Sequence, residues 1–146
     1  MASGSNIHFF FKDVTVALPG RTRLKVFINR IFKDEGKKLE ALNYIFCNDR
    51  ELLKINKIYL KHDFFTDIVT FDLSESKQDI VGEIYISTER VRENAAVFGA
   101  TLKKELLRVI FHGALHLCNY TDKSERQKRE MRKKEDFYIS AYLNSP

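Results

Sequence analysis

The chain lacks long apolar runs and has only two cysteines, and both deficits limit the classes of protein to which it can belong. No stretch of its 146 residues is apolar over the length needed to span a membrane, and no signal peptide is evident. Cys47 and Cys118 stand far apart, so they predict neither a disulfide framework nor a paired thiolate site. We therefore expect a cytoplasmic protein with no membrane partner and no disulfide-linked partner.

Repeats, low-complexity tracts and flexible linkers are absent as well, and the length suits one domain, which we expect over residues 1–146. Residues 1–5 are mostly small and polar, and we expect them to be a disordered end or a remnant of recombinant expression. The formal net charge of +5 fits an anionic partner without identifying one. No aromatic RNA-recognition motif, KH-type loop or zinc-finger spacing occurs.

Hydrophobic periodicity predicts strands and helices that alternate at first and then give way to a run of helices. The predicted strands cover 6–11, 42–46, 68–73 and 80–86, and the predicted helices cover 24–31, 49–59, 88–98, 101–118 and 124–143. This order, βαβαββααα, predicts an α+β fold in which a four-stranded mixed sheet packs against helices.

The most informative segment is His112-Gly-Ala-Leu-His116, which Asp122 follows six residues later. Two imidazoles four residues apart lie on one face of a helix, one turn from each other. A carboxylate beyond the helix end can fold back as a third ligand, which leaves the fourth corner of a tetrahedron for water. The segment therefore predicts a hydrolytic metal site on a helix and the loop after it.

Polar residues occupy only a narrow stripe of this helix, formed by Glu105, Arg108, His112 and His116. Its main apolar face comprises Leu102, Leu106, Val109, Ile110, Gly113 and Leu117. A helix that is apolar nearly all round is buried, so the polar stripe needs partners. A metal ion, with Glu105 or Arg108 supporting its ligands, would meet that need. Two hydrogen-bonded core histidines are the alternative, and Cys118 points away from the stripe and is expected in the core.

The spacing of these residues resembles that of two families. In the zinc proteases a glutamate follows the first histidine as general base, but this chain has Gly113 there. The YbeY-type endoribonucleases of ribosomal RNA maturation have the signature H-G-x-L-H-L-x-G-Y-D-H, whose first six positions match residues 112–117. Residues 55–59, 66–71 and 82–87 resemble that family's L-N-x-x-Y, T-D-V-L-S-F and G-D-I-x-I-S motifs. The resemblance therefore extends over nearly the whole chain.

Three positions depart from the family's pattern. Asp122 stands where the family has a third histidine, and a carboxylate is a competent zinc ligand. Asn119 replaces a turn glycine, and asparagine tolerates the left-handed conformation needed at a helix end. Leu60 replaces an arginine that the family uses for catalysis or RNA contact. Lys61 beside it could supply positive charge, but not the two-pronged hydrogen bonding of a guanidinium.

The resemblance implies a metal-dependent, single-strand-selective endoribonuclease that acts on ribosomal RNA and ribosomal particles during ribosome biogenesis. It also implies one zinc ion, held by His112, His116 and Asp122, although other first-row divalent metals accept the same ligands. Two alternatives stay open. A zinc-dependent hydrolase of another class, such as a peptidase, would use the same ion. A non-catalytic ribosome assembly factor would keep the metal for stability, and the departure at Leu60 favours this option.

No general acid or base is assigned, and the attacking group is either water on the metal or the ribose 2′-hydroxyl. Lys61 and Asp67 are the candidates for a catalytic role, and Lys61 and His62 are those for contact with nucleic acid. Each also has a plainer interpretation, since carboxylates such as Asp67 and Glu83 often only cap or pair, and residues 61–62 suit a solvated loop. The seven basic and two acidic residues of 123–134 either form a solvated helix face or guide a phosphate backbone toward the metal.

Overall fold

The computed structural model describes residues 4–18 and 20–145, which contain four strands and five helices. The strands are β1 (Ile7–Phe11), β2 (Lys38–Cys47), β3 (Ile68–Asp72) and β4 (Asp79–Ser87). The helices are α1 (Arg21–Asp34), α2 (Asp49–Leu60), α3 (Thr88–Phe98), α4 (Leu102–Leu117) and α5 (Glu125–Asn144). The predicted βαβαββααα order is confirmed. The main difference is that β2 begins earlier than the predicted strand over 42–46.

The four strands form one mixed sheet in the order β1-β2-β4-β3. β2 pairs in parallel with both β1 and β4, whereas β3 pairs antiparallel with β4. Parallel neighbours need long crossover connections, and α1 supplies the one between β1 and β2. A register irregularity between Leu39 and Ala41 lets β2 continue past the predicted strand start toward Lys38. The predicted α+β class with a four-stranded mixed sheet is thus confirmed.

Apolar side chains fill both faces of this sheet, but unequally. The larger core lies under α1 and α4, where side chains such as Ile28, Phe46 and Ile84 are fully buried. The smaller core, on the other face, consists of Leu52 and Ile55 of α2 packed against Cys47 and Val69 of the sheet. Helix α5 packs against α4. This arrangement places α4 between the sheet and α5.

Ten of the sixteen residues of α4 are buried, which confirms the prediction of a buried helix. Leu102, in its first turn, is the member of the predicted apolar face that stays exposed, at 42%. Two glycines set how closely α4 approaches β4. A Cβ added to Gly113 would lie 2.7 Å from Ile84 Cδ1, and one added to Gly82 would lie 2.6 Å from Leu117 Cδ1. Close packing against the strand is therefore the reason for a glycine in this helix.

Short polar side chains begin four of the five helices at positions that the sequence indicates. Asn48, Ser87, Thr101 and Ser124 each accept a hydrogen bond from a backbone amide in the first turn of α2, α3, α4 and α5 respectively. Gly99 ends α3 in the left-handed conformation, with φ of 64°. Of these caps, Thr101 marks where α4 starts.

The remaining sequence expectations concern the chain's start and its relation to a membrane. Among the residues that the structure describes, no helix has both the length and the apolar character to cross a membrane. Residues 1–3 of the predicted disordered end lie outside the described residues. Gly4 is buried, and its carbonyl accepts a hydrogen bond of 3.1 Å from the Ile7 amide.

Candidate metal centre

The two histidines of α4 lie side by side where the helix emerges from the core. Their ring centroids are 4.5 Å apart and the rings are nearly perpendicular. Both side chains are mostly buried, with 19% of His112 and 27% of His116 exposed. The helical spacing thus brings the imidazoles together, as the sequence predicts.

The loop after α4 returns Asp122 to these rings. Asn119 adopts the left-handed conformation, with φ of 75°, as predicted for a residue in place of a turn glycine. The amides of Asn119 and Tyr120 donate to the carbonyls of His116 and Leu115, at 3.0 and 3.1 Å. The reversed chain places Asp122 Oδ2 at 3.4 Å from His112 Nε2 and 3.6 Å from His116 Nε2.

These separations are those of ligands around a single metal ion. Groups at the corners of a tetrahedron, each bound at about 2.0–2.1 Å, are about 3.3 Å from one another. His112, His116 and Asp122 offer one ligand atom each, all within 4.8 Å of one another, and no other such group of three occurs within 4–18 and 20–145. The three side chains could therefore hold a metal ion. Cys118, buried in the core, is not part of the group.

His112 is oriented by a carboxylate on α5. Its Nδ1 donates to Glu135 Oε2 at 2.7 Å, and the other oxygen of Glu135 accepts from Arg108 at 3.0 Å. Arg108 also pairs with Asp136, at 2.7 Å. Burial disfavours the charged ring, yet the hydrogen bond and charge of Glu135, with the charges of Asp122 and others, raise the pKa of His112.

His116 is oriented by the backbone of its own loop. Its Nδ1 lies 2.9 Å from the carbonyl oxygen of Tyr120, which can only accept a hydrogen bond. Burial and the charge of His112 lower the pKa of His116 and outweigh the opposing carboxylate of Asp122. With Nδ1 bonded in both rings, Nε2 is the atom of each ring that lies near Asp122 and is available to a metal ion. A donor set arranged in this way fits a divalent cation.

A cleft of about 650 Å³ lies over these ligands. Its lining includes the three candidate ligands and Glu135, the segment 66–70 of the β3 side, and Lys128 and Arg132 of α5. Asp67 lies within it, and Asn94 donates to its Oδ2 at 3.4 Å. Burial raises the pKa of Asp67, against the charges of His112 and others. The cleft thus joins the three candidate metal ligands to a half-buried carboxyl and to exposed cations.

Comparison with known proteins identifies the family of this chain. Residues 13–143 match the family model described as endoribonuclease YbeY. The chain belongs to the YbeY endoribonuclease family. An endoribonuclease YbeY of Cytophaga hutchinsonii is 46% identical over 134 residues, which cover 92% of this chain and 94% of that one. Another, from Amoebophilus asiaticus, is 42% identical over 94% of this chain and 93% of its own.

The fold of this YbeY-family chain also resembles a solved structure. The solution structure of TM1509 from Thermotoga maritima superimposes with a TM-score of 0.64 at 31% sequence identity. The match covers 93% of this chain and 88% of that one. The resemblance read from the motifs is confirmed, and it extends over nearly the whole length as expected.

The other residues singled out from the sequence lie in different places. Leu60, at the arginine position of the YbeY pattern, lines the cleft, as does Asp67. Lys61 ends α2 in the left-handed conformation, and His62 stacks on Phe64 with 5.1 Å between ring centroids. Both side chains are exposed, and neither is among the described residues that line the cleft. Glu83 accepts from the Tyr85 hydroxyl, at 3.3 Å, away from the cleft.

Two carboxylates with clear roles were missed by reasoning from the sequence. Glu135 supports His112, a role that the sequence offered to Glu105 or Arg108. The sequence contains an indication of this role, since Glu135 is the one acidic residue among those described on the face of α5 that is buried together with Met131 and Tyr138. Glu35, just after α1, accepts from Tyr120, at 2.7 Å, and also from Tyr138 and Lys134. No local pattern indicated Glu35.

Proposed function

We propose that this chain is a metal-dependent endoribonuclease that cuts single-stranded segments of ribosomal RNA during ribosome maturation in the cytoplasm. The observation that carries the proposal is the convergence of His112 Nε2, His116 Nε2 and Asp122 Oδ2 at about the spacing of zinc ligands, with both Nδ1 atoms already bonded. Membership in an endoribonuclease family supports RNA as the substrate. We further propose zinc as the metal.

The chemistry divides between the ion and the protein. Zinc would polarise a phosphoryl oxygen and lower the pKa of water. Two neutral imidazoles and one carboxylate leave the centre with a net positive charge, which attracts a phosphodiester. Glu135 and the Tyr120 carbonyl keep the two rings in the tautomer and orientation that this requires.

Asp67 is the candidate for moving a proton in the cleft. Asp67 is half-buried there, and its raised pKa favours the protonated carboxyl more than the pKa of an exposed aspartate would. Lys61 and His62 directly follow the cleft residue Leu60, so we retain both for contact with RNA beyond the cleft. A catalytic role for Lys61 has less support than one for Asp67, because Lys61 does not line the cleft.

The peptidase alternative gains no support from the site. A zinc protease needs a carboxylate general base directly after the first histidine. Gly113 occupies that position here and packs against Ile84 and Ile68 of the sheet. The assembly-factor alternative makes a different prediction, namely that the metal-loaded protein binds ribosomal particles but never cuts RNA.

Metal content and RNA cleavage test the proposal together. We expect elemental mass spectrometry to find about one zinc per chain and the variant His112→Ala/His116→Ala to have none. Removal of the metal should also abolish cleavage of a single-stranded RNA, and restoring zinc should recover it. The variant His8→Ala/His62→Ala is the matched control for metal content, because it removes the chain's two other histidines. Zinc retained by the first variant would overturn the ligand assignment, and cleavage without metal would overturn the mechanism.

A further inference from the structure

The two sides of the cleft differ in chemical character. Helix α4 forms the floor and packs against β3 on one side and α5 on the other. Leu60, at the end of α2, and Phe98, at the end of α3, line the cleft and are 40% and 65% exposed. We call these two residues the apolar wall. On the α5 side, Lys128 and Arg132 line the cleft with exposed side chains, and we call them the basic wall.

Exposed aromatic rings continue the apolar wall beyond the cleft. Phe64 and Phe65 lie in the loop between Leu60 and Thr66, two residues that line the cleft. Each phenylalanine is more than half exposed. The guanidinium of Arg90 lies 5.2 Å from the Phe65 ring centroid. Aromatic rings interspersed with cations are the usual means by which proteins stack and hold unpaired bases.

The basic wall has charge available for a ligand. Arg132 makes no ion pair with any of the described residues, and Lys128 has only a 3.6 Å contact with Glu125, where both side chains are highly exposed. Exposed pairs of this kind contribute little to stability, so Lys128 can leave Glu125 and bind an anionic ligand with little loss of stability. Arg132 has no ion pair within the described part of the chain to give up. Arg108, in contrast, is already engaged by Glu135 and Asp136.

An unpaired RNA strand matches these two walls, because its phosphates lie along one edge and its base faces are free. A duplex offers phosphates on its outside but hides the base faces. Resting on the proposed function, we infer that the cleft binds a single RNA strand in one transverse orientation. Its phosphates face Lys128 and Arg132, its bases lie against Leu60 and Phe98, and the scissile phosphodiester passes over the metal ligands. This orientation selects single strands.

Binding of a short fluorescent 2′-O-methyl RNA strand, followed by anisotropy at several salt concentrations, tests the two walls separately. Phe98→Ala should weaken binding about tenfold without changing its salt dependence, and Phe98→Trp should retain affinity. Arg132→Gln should instead reduce the slope of log affinity against log salt by about 0.7. The matched controls are Val97→Ala, which removes the more exposed neighbour of Phe98 outside the cleft lining, and Lys33→Gln on α1.

Three outcomes would overturn the inference. The first is that Phe98→Ala binds like Val97→Ala, and the second is that a hairpin duplex binds as tightly as the strand. The third is that polyphosphate, which has no bases, displaces the strand as well as unlabelled RNA does. Cleavage of unmodified RNA is assayed separately. If the metal-loaded protein does not cleave RNA, but Phe98→Ala and Arg132→Gln have the expected effects on binding, the proposed function alone is contradicted. If the protein cleaves RNA, but Phe98→Ala has no effect on binding, this inference alone is contradicted.

Discussion

His112 and His116 each place Nε2 near Asp122, but the protein holds the two rings in different ways. A buried carboxylate on another helix fixes His112, whereas a neutral carbonyl in the following loop fixes His116. The pKa shifts follow this difference, since Glu135 helps to raise the pKa of His112, while burial and the charge of His112 lower that of His116. One ligand therefore depends on the packing of α5, and the other depends on the loop that also carries Asp122.

Removing either imidazole should have the largest effect. We expect both His112→Ala and His116→Ala to lose the metal, because two remaining protein ligands hold zinc poorly. His112→Ala should also lower the free energy of unfolding of the metal-free protein by about 1–3 kcal/mol more than His116→Ala does, because it leaves one oxygen of buried Glu135 without its partner. Zinc titration and urea denaturation measure these two effects. Equal unfolding free energies would contradict the difference drawn between the two sides.

Glu135→Gln weakens the support of His112 and the ion pair with Arg108, but it removes none of the three candidate ligands. The metal affinity should fall about 10–100-fold, as is typical when the partner of a ligating histidine is altered. Asp136→Asn is the matched control, because Asp136 also pairs with Arg108 but is exposed and does not contact His112. Competition with a zinc chelator measures the affinity. A similar loss of affinity in both variants would mean that Arg108, rather than Glu135, determines the geometry of His112.

Glu35→Gln tests the support on the His116 side and has a defined pH dependence. Burial opposes the charge of Glu35, but donors Tyr138, Tyr120 and Lys134 outweigh it and lower its pKa below the usual 4.5. The ionised carboxylate therefore stabilises the fold above pH 4.5, and this stabilisation is lost as the pH falls through the lowered pKa. The variant should be less stable by about 1–3 kcal/mol at pH 7. Urea denaturation should show this difference shrinking in acid, and a difference independent of pH would contradict it.

Tyr120→Phe should have the smallest effect. It removes the hydroxyl that donates to Glu35 but leaves the backbone carbonyl that accepts from His116. We expect a loss of about 1 kcal/mol in the free energy of unfolding, the usual value of one hydrogen bond. The zinc affinity should change less than in Glu135→Gln. If calorimetric zinc titration shows the larger change in Tyr120→Phe, the loop side controls the ligands more than the α5 side does.

Local sequence patterns predicted the parts of the site that lie close together in the chain. The helical periodicity placed His112 and His116 on one face, and the short distance to Asp122 allowed the loop to return it. Which residues the supports contact could not be predicted in this way. Glu135 lies 23 residues from His112, and Glu35 lies 85 residues from Tyr120, so only the tertiary packing of α1, α4 and α5 brings them together.

The same holds for the fold. Periodicity and caps predicted the elements and their order, because each is a property of a short segment. The positions of Gly82 and Gly113 opposite Leu117 and Ile84 depend instead on how the helix crosses the sheet, which no local pattern contains. The chemical difference between the two cleft walls also arises only when the ends of α2 and α3 and the helix α5 come together around α4.

The position of Glu35 has a consequence for a chain that is still being synthesised. The carboxylate is made early, but its donors Tyr120, Lys134 and Tyr138 are made late. A nascent chain that ends before α5 already contains His112, His116 and Asp122, yet it lacks Glu135 and two of the donors that bind Glu35. The three candidate ligands are therefore synthesised before the residues of α5 that hold His112 and Glu35 in place.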